Sequence, residues 1–220
     1  MNFEQARENM VDCQVRPCDV TDHELIAALL AVPREEFVDE KNRELAYLDR
    51  NIRISEKGGQ SRFMMSASPL SKLLQLCDPQ SDNVVLVVGA GIGYSCALFS
   101  ILASSIVGIE EDERLAGLAS ENLSRLGYDN AAVLSAKLTD GWEREAPYDI
   151  IFMEGAVEEV PEMLVDQLAE GGRLVAVVGS GNAAKATLFH KKQGLVGKRE
   201  VFNLAVPLLP GFETTKEFSL

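Results

Sequence analysis

Two rhythms of apolar and polar residues divide this chain. From Val84 to Val88 five apolar residues, four of them β-branched, follow one another without a break. That is the pattern of a strand buried on both faces. Ser105 to Ile109, Ala131 to Ser135, Tyr148 to Met153 and Leu174 to Val178 read as further strands. Between them the period changes. Leu115 to Leu126 spaces its apolar residues as one face of a helix and meets a stop signal at Gly127. Pro161 to Leu168 reads as another helix, and Gly171-Gly172 as a turn. Regular alternation of β and α units predicts a mostly parallel sheet with helices on both faces. Ala186 to Phe189 and Glu200 to Leu208 are expected to pair as an antiparallel hairpin at its edge.

The first eighty residues read differently. Phe3, Ala6, Met10, Val11 and Val15 lie at helical spacing, so a helix is expected over 2–16, ended by Pro17. Thr21-Asp22-His23-Glu24 resembles a capping signature ahead of the stripe Leu25 to Leu30, which Pro33 stops. Residues 40–62, with Gly58-Gly59, are expected to be mostly loop. Ser68 to Leu76 reads as a helix with Pro69 in its first turn. The chain is thus expected to have a helical extension over 1–80 and an α/β core over 81–220, within one structural domain, and Pro210 to Leu220 reads as a tail.

Composition narrows the function classes. The chain has 220 residues and a formal net charge of −13, which argues against nonspecific binding to nucleic acid or anionic membranes. Arg50, Arg53, Lys57 and Arg62 could form a local basic patch, read first as solvated loop residues. No apolar run reaches the roughly 18–20 residues that span a bilayer, and the first residues lack the pattern of a signal peptide. Cys13, Cys18, Cys77 and Cys96 are dispersed, and His23 and His190 stand alone. The expectation is a cytoplasmic protein with no metal site and no disulfide framework.

Candidate chemistry sits where the first long strand ends. Gly89-Ala90-Gly91-Ile92-Gly93 follows Val88 directly, and a small-residue run able to start a helix comes next. Strand, glycine turn and helix are how a Rossmann-like domain brings backbone N–H groups close to a nucleotide. Glu110 closes the next strand, where an acid commonly holds a ribose hydroxyl pair. A nicotinamide dinucleotide fingerprint needs a third small residue where Tyr94 stands. The G-x-G-x-G spacing instead resembles the first motif of class I S-adenosylmethionine-dependent methyltransferases. The candidate cofactor-binding residues are Gly89, Ala90, Gly91, Gly93, Glu110, Glu111, Lys137 and Leu138. That reading requires an open turn with Glu110 facing it, and a cleft plugged by the protein's own side chains, or a carboxylate pointing away from it, would end the case for methyl donation.

Further segments resemble the protein-L-isoaspartate O-methyltransferase family. They are Met10-Val11-Asp12-Cys13-Gln14-Val15-Arg16, Val32-Pro33-Arg34-Glu35-Glu36-Phe37-Val38, Leu45 to Arg50, Glu121 to Asn130, Gly141-Trp142, Ala146-Pro147-Tyr148-Asp149, Val160-Pro161-Glu162, Gly171 to Val175 and Ala205-Val206-Pro207-Leu208. The resemblance spans about 8–209. It implies a class I methyltransferase fold with a seven-stranded, mostly parallel sheet and an N-terminal extension over the cofactor. It also implies methyl transfer from S-adenosylmethionine to the isoaspartyl carboxylate of damaged proteins, whose ester then collapses to a succinimide.

Three positions depart from the family pattern. A G-Q-T-x-S-Q-P-like substrate segment is here Gly59-Gln60-Ser61-Arg62-Phe63-Met64-Met65. The acid usual two residues before the first glycine is Val87, and the G-D-G after the third motif's strand is Ala136-Lys137-Leu138. Lysine accepts no hydrogen bond, so Lys137 cannot hold an adenine amino group. Gln60, Ser61 and Arg62 are the substrate-side candidates, with Arg62 expected to neutralise a substrate carboxylate. The alternatives are a degenerate relative serving as a binding or regulatory module, and methylation of another substrate, with Phe63-Met64-Met65 lining an apolar pocket.

Overall fold

The computed structural model describes residues 1–55 and 61–213. Seven strands form one sheet: β3 (Val84–Val88), β4 (Ser105–Glu110), β5 (Ala131–Ser135), β6 (Tyr148–Val157), β7 (Leu168–Val178), β8 (Lys185–Lys192) and β9 (Leu195–Asn203). A separate antiparallel ribbon, β1 (Ile52–Arg53) with β2 (Phe63–Met64), lies in the extension. The sheet order is β5-β4-β3-β6-β7-β8-β9. Pairing is parallel from β5 through β7, and β8 and β9 fold back antiparallel at the edge. This is the doubly wound arrangement, in which the strand order reverses at β3 and leaves a crevice beyond the carboxyl ends of β3 and its neighbours.

Each central strand is buried because both faces are covered. Val85, Leu86, Val87 and Val88 are all solvent-inaccessible. Val85 and Val87 join the larger core with the N-terminal helices, whereas Leu86 and Val88 join the second core on the other face. Helix α4 (Tyr94–Leu102) follows the glycine turn, and Phe99 on it meets Phe152 of β6 edge to face at 5.7 Å. Helix α5 (Glu113–Leu126) is capped by Asp112, which accepts from the N–H groups of Arg114 and Leu115, and ends at Gly127 with φ +79°.

The extension is folded over the turn by a polar network. It begins with α1 (Phe3–Met10). The helical course does not stop at Pro17 but continues through a π turn (Val11–Val15) and a 3₁₀ turn (Arg16–Cys18) to Asp19 at φ +63°. Pro17 sits at the start of the 3₁₀ turn, where its missing N–H costs little. Helix α2 (His23–Ala31) is capped by Asp22, and α3 (Ala67–Cys77) carries Pro69 in its first turn. Residues 40–45, expected as loop, form a 3₁₀ turn.

Arg34 is buried and donates to the carbonyls of Ala46 (2.7 Å) and Met65 (2.6 Å), while its guanidinium lies 4.7 Å from the centre of the Tyr94 ring. Glu35 accepts from Arg7 and Tyr47. Glu36 accepts from Arg43 and from Arg125 of α5, each at 2.7 Å. The segment Val32–Val38 thus joins the extension to the first residue of α4.

Four boundaries differ from the periodic reading. Helix α6 is short (Glu162–Asp166), and β7 already begins at Leu168, paired with Tyr148. Gly171-Gly172 is therefore an irregularity inside β7, with Gly171 at φ +80°, and not a turn before it. Strand β6 runs to Val157 past Met153, because an irregularity between Phe152 and Ala156 lets it resume pairing with β7. The last strand ends at Asn203, and residues 207–209 leave the hairpin to pair with Ala156 beside β6.

Candidate active site

Three strand ends converge at the crevice. The turn after β3 gives backbone with Gly89, Gly91 and Gly93 at φ +80°, +56° and +90°, conformations that side-chain-bearing residues rarely adopt. The N–H groups of Gly89 and Ala90 donate to the carbonyl of Ile109, which ties the turn to β4. Glu110 ends β4 with its side chain pointing back into the turn. Its Oε2 accepts from the N–H of Gly91 at 2.8 Å, and its Oε1 from the N–H groups of Glu111 (3.1 Å) and Asp112 (3.3 Å). The carboxylate is buried, and these donors are what make an ionised acid tolerable there.

The turn is not open. Arg62 is 5% exposed, and its Nη2 lies 2.6 Å from Glu110 Oε2 and 2.8 Å from the carbonyl of Gly89. Arg62 therefore does not face a substrate carboxylate, as its charge suggested; it faces Glu110. The strand period explains the change. Arg62 and Met64 point inward, whereas Ser61 and Phe63 line a groove of about 340 Å³ with Pro207, Leu208, Pro210 and Glu213. Two more side chains crowd the glycines. Leu209 Cδ2 is 2.7 Å from where a Cβ on Gly89 would stand, and Ile54 Cδ1 is 2.9 Å from the equivalent point on Gly91.

Space remains beside the pair. A cavity of about 300 Å³ is lined by Arg62, Glu110, Glu111, Asp112, Leu138 and Pro210. Lys137 is not part of it: its side chain is exposed and lies 3.5 Å from Asp140. Gln60 falls outside the described residues, as do Lys57 and the Gly58-Gly59 pair. Of the three side chains proposed to make an apolar pocket, only Phe63 lines the groove; Met64 and Met65 are buried in the core. Ser68, in the first turn of α3, donates to the Gln14 carbonyl at 3.0 Å and to Asp49.

Glu154 is a further acid here that the periodic reading missed. It lies in the irregular stretch of β6 and accepts from Ser95 of α4. Burial pushes its carboxyl up to about 7, a rise that the Ser95 hydrogen bond and the nearby charges of Arg62 and Arg34 oppose and that of Glu110 adds to. The folded protein therefore keeps a proton that the unfolded chain releases above its ordinary carboxyl range. Stability falls as pH rises from about 4.5 to about 7, by roughly 3 kcal/mol. Glu154→Gln removes that titration. In urea unfolding at stepped pH, the variant is expected to gain on the wild type between about pH 4.5 and about pH 7. A constant gap contradicts the assignment.

A doubly wound sheet with a three-glycine turn, and an acid at the end of the neighbouring strand, defines the class I methyltransferase fold. The sequence profile of the Protein-L-isoaspartate(D-aspartate) O-methyltransferase family matches residues 5–210. Protein-L-isoaspartate O-methyltransferase 1 of Syntrophobacter fumaroxidans is 37% identical over 188 residues, 86% of each chain. A solved protein-L-isoaspartate O-methyltransferase superposes with a TM-score of 0.82 at 25% identity, over 93% of this chain and 66% of that one. A Plasmodium falciparum protein solved in complex with S-adenosyl-L-homocysteine shares the fold, with a TM-score of 0.77 at 22% identity over 95% of this chain and 98% of that one. The chain belongs to the protein-L-isoaspartate O-methyltransferase family.

Proposed function

We propose that this chain is an S-adenosylmethionine-dependent O-methyltransferase acting on isoaspartyl carboxylates of damaged proteins. The observation that carries the reading is Glu110, a buried carboxylate bonded to the N–H of Gly91 at the switch point of the sheet, in a chain of this family. The donor set suits the cofactor. A carboxylate suits a ribose diol, the positive-φ glycines let backbone approach, and the cavity beside Glu111 and Leu138 has walls for a base. With no acceptor on Lys137, backbone groups and the apolar side chain of Leu138, which lines the cavity, would hold the adenine.

When bound, S-adenosylmethionine supplies a methyl group already activated by its sulfonium. The acceptor carboxylate is ionised at neutral pH, so no side chain has to remove a proton. What the protein contributes is alignment and exclusion of water. The groove at Ser61 and Phe63, divided from the Glu110 cavity by Pro210, is the place for the isoaspartyl peptide. Among the described residues, those before 81 form its cover and 81–213 the cofactor core.

A net charge of −13 supports a protein or peptide substrate over nucleic acid or an anionic bilayer. Among the described residues no helix is long and apolar enough to cross a membrane. The test is methyl transfer from radiolabelled S-adenosylmethionine to an isoaspartyl peptide beside its aspartyl twin. Label on the first alone is expected; label on neither, or on both equally, contradicts the substrate assignment.

A further inference from the structure

We infer that Arg62 is an internal competitor for the cofactor site, and that its ion pair with Glu110 sets how tightly the chain binds S-adenosylmethionine. This inference rests on the proposed function and deepens it. Glu110 is already fully engaged. Its two oxygens take three backbone N–H groups and the Arg62 guanidinium, whose Nε also lies within 3.4 Å of Oε1. A ribose diol needs acceptor capacity on this carboxylate. The backbone donors are fixed by the turn and by the start of α5, so the displaceable partner is Arg62.

The plug is wider than one contact. Arg62 Nη2 also holds the Gly89 carbonyl and lies 3.1 Å from where a Gly89 Cβ would stand, and Leu209 comes within 2.7 Å of the same point. The space that the first glycine leaves open is thus taken by the chain itself. Arg62 rides on a short connection. It directly precedes the two-residue strand β2, whereas Glu110 closes a six-residue central strand. Of the two partners, Arg62 is the one able to move without breaking the sheet.

Binding then proceeds only from the fraction of molecules in which Arg62 has left Glu110, and the apparent dissociation constant rises by the inverse of that fraction. The charge adds a second cost for the donor over its product. A guanidinium that stays in the crevice repels a sulfonium but not the neutral thioether of S-adenosylhomocysteine.

The experiment is calorimetric titration of the full-length wild type and of Arg62→Ala with S-adenosylhomocysteine and with S-adenosylmethionine. Arg62→Met, which keeps the aliphatic stem, serves if the shorter side chain impairs folding. The expected result is at least about tenfold tighter binding by the variant, with the larger gain for S-adenosylmethionine. Equal affinities overturn the competitor role and leave the cofactor reading standing. Weaker binding by the variant overturns it too, because Arg62 would then be a ligand of the cofactor. Binding by neither protein overturns the inference and the proposed function together.

Discussion

Glu110→Ala is expected to destabilise the protein by about 3–5 kcal/mol and to abolish binding of S-adenosylhomocysteine. The carboxylate joins four groups that have no other way to be satisfied together: the N–H groups of Gly91, Glu111 and Asp112, and the buried guanidinium of Arg62. Removing one partner of a buried ion pair leaves the other charge desolvated and unpaired, which costs more than the pair itself contributes. The remedy follows from the same physics. Arg62→Ala in the Glu110→Ala background removes the stranded charge, so the double variant is expected to recover part of the lost stability but none of the binding. Urea unfolding reads the first effect and calorimetry the second. A single variant as stable as the wild type shows that the pair is not buried as described.

Arg34→Met is the second large effect, at about 3 kcal/mol or more from two charge-assisted hydrogen bonds. Arg34 is fully buried and spans the carbonyls of Ala46 and Met65, with its plane near the Tyr94 ring. These groups belong to three separate segments of the chain: the end of the 3₁₀ turn over 40–45, the residue just past β2, and the first turn of α4. Methionine fills similar volume and leaves both carbonyls without their donor. Arg34→Lys is expected to rescue little, because one ammonium does not reproduce a planar fork reaching two acceptors. Unfolding curves test the stability. Full rescue by lysine argues that charge, and not geometry, is what the site requires. Because Met65 lies three residues from Arg62, the same variants are expected to loosen the arm that covers Glu110.

What the sequence revealed, and what it hid, follows from how local each signal is. The run Val84–Val88, the glycine turn and Glu110 are legible because a doubly buried strand needs an unbroken apolar run, and close backbone approach needs glycine. The helix over 115–126 was legible from its stripe and its glycine stop, and the edge hairpin from its two apolar stretches. The end of β6 was not. Its irregularity between Phe152 and Ala156 breaks the period just where Glu154 enters the site. Gly171-Gly172 looked like a turn because glycine marks turns and strand irregularities alike. The helical course through Pro17 was hidden for a related reason, since proline is tolerated at the first positions of a new turn.

Arg62 is the most instructive case. Its charge and its place in an altered substrate segment suggested a residue facing an anionic substrate. Its true partner, Glu110, lies 48 positions away, and only tertiary structure brings the two together. Leu209 is hidden for the same reason: it sits past the last strand, in a stretch that looked like the end of a hairpin, and returns to cover Gly89. The segment Val32–Val38 carried a clear resemblance, but its physical role became visible only with Arg34, Glu35 and Glu36 each holding a different part of the fold.

The account stands on a single site, where one carboxylate serves either the chain's own guanidinium or the sugar of a methyl donor. A crystal structure of the full chain grown with S-adenosylhomocysteine tests it most directly. The predicted density places both ribose hydroxyls on the carboxylate of Glu110, with Arg62 swung away from it. A nucleoside bound elsewhere, or an Arg62–Glu110 pair unchanged with the ligand present, contradicts the account.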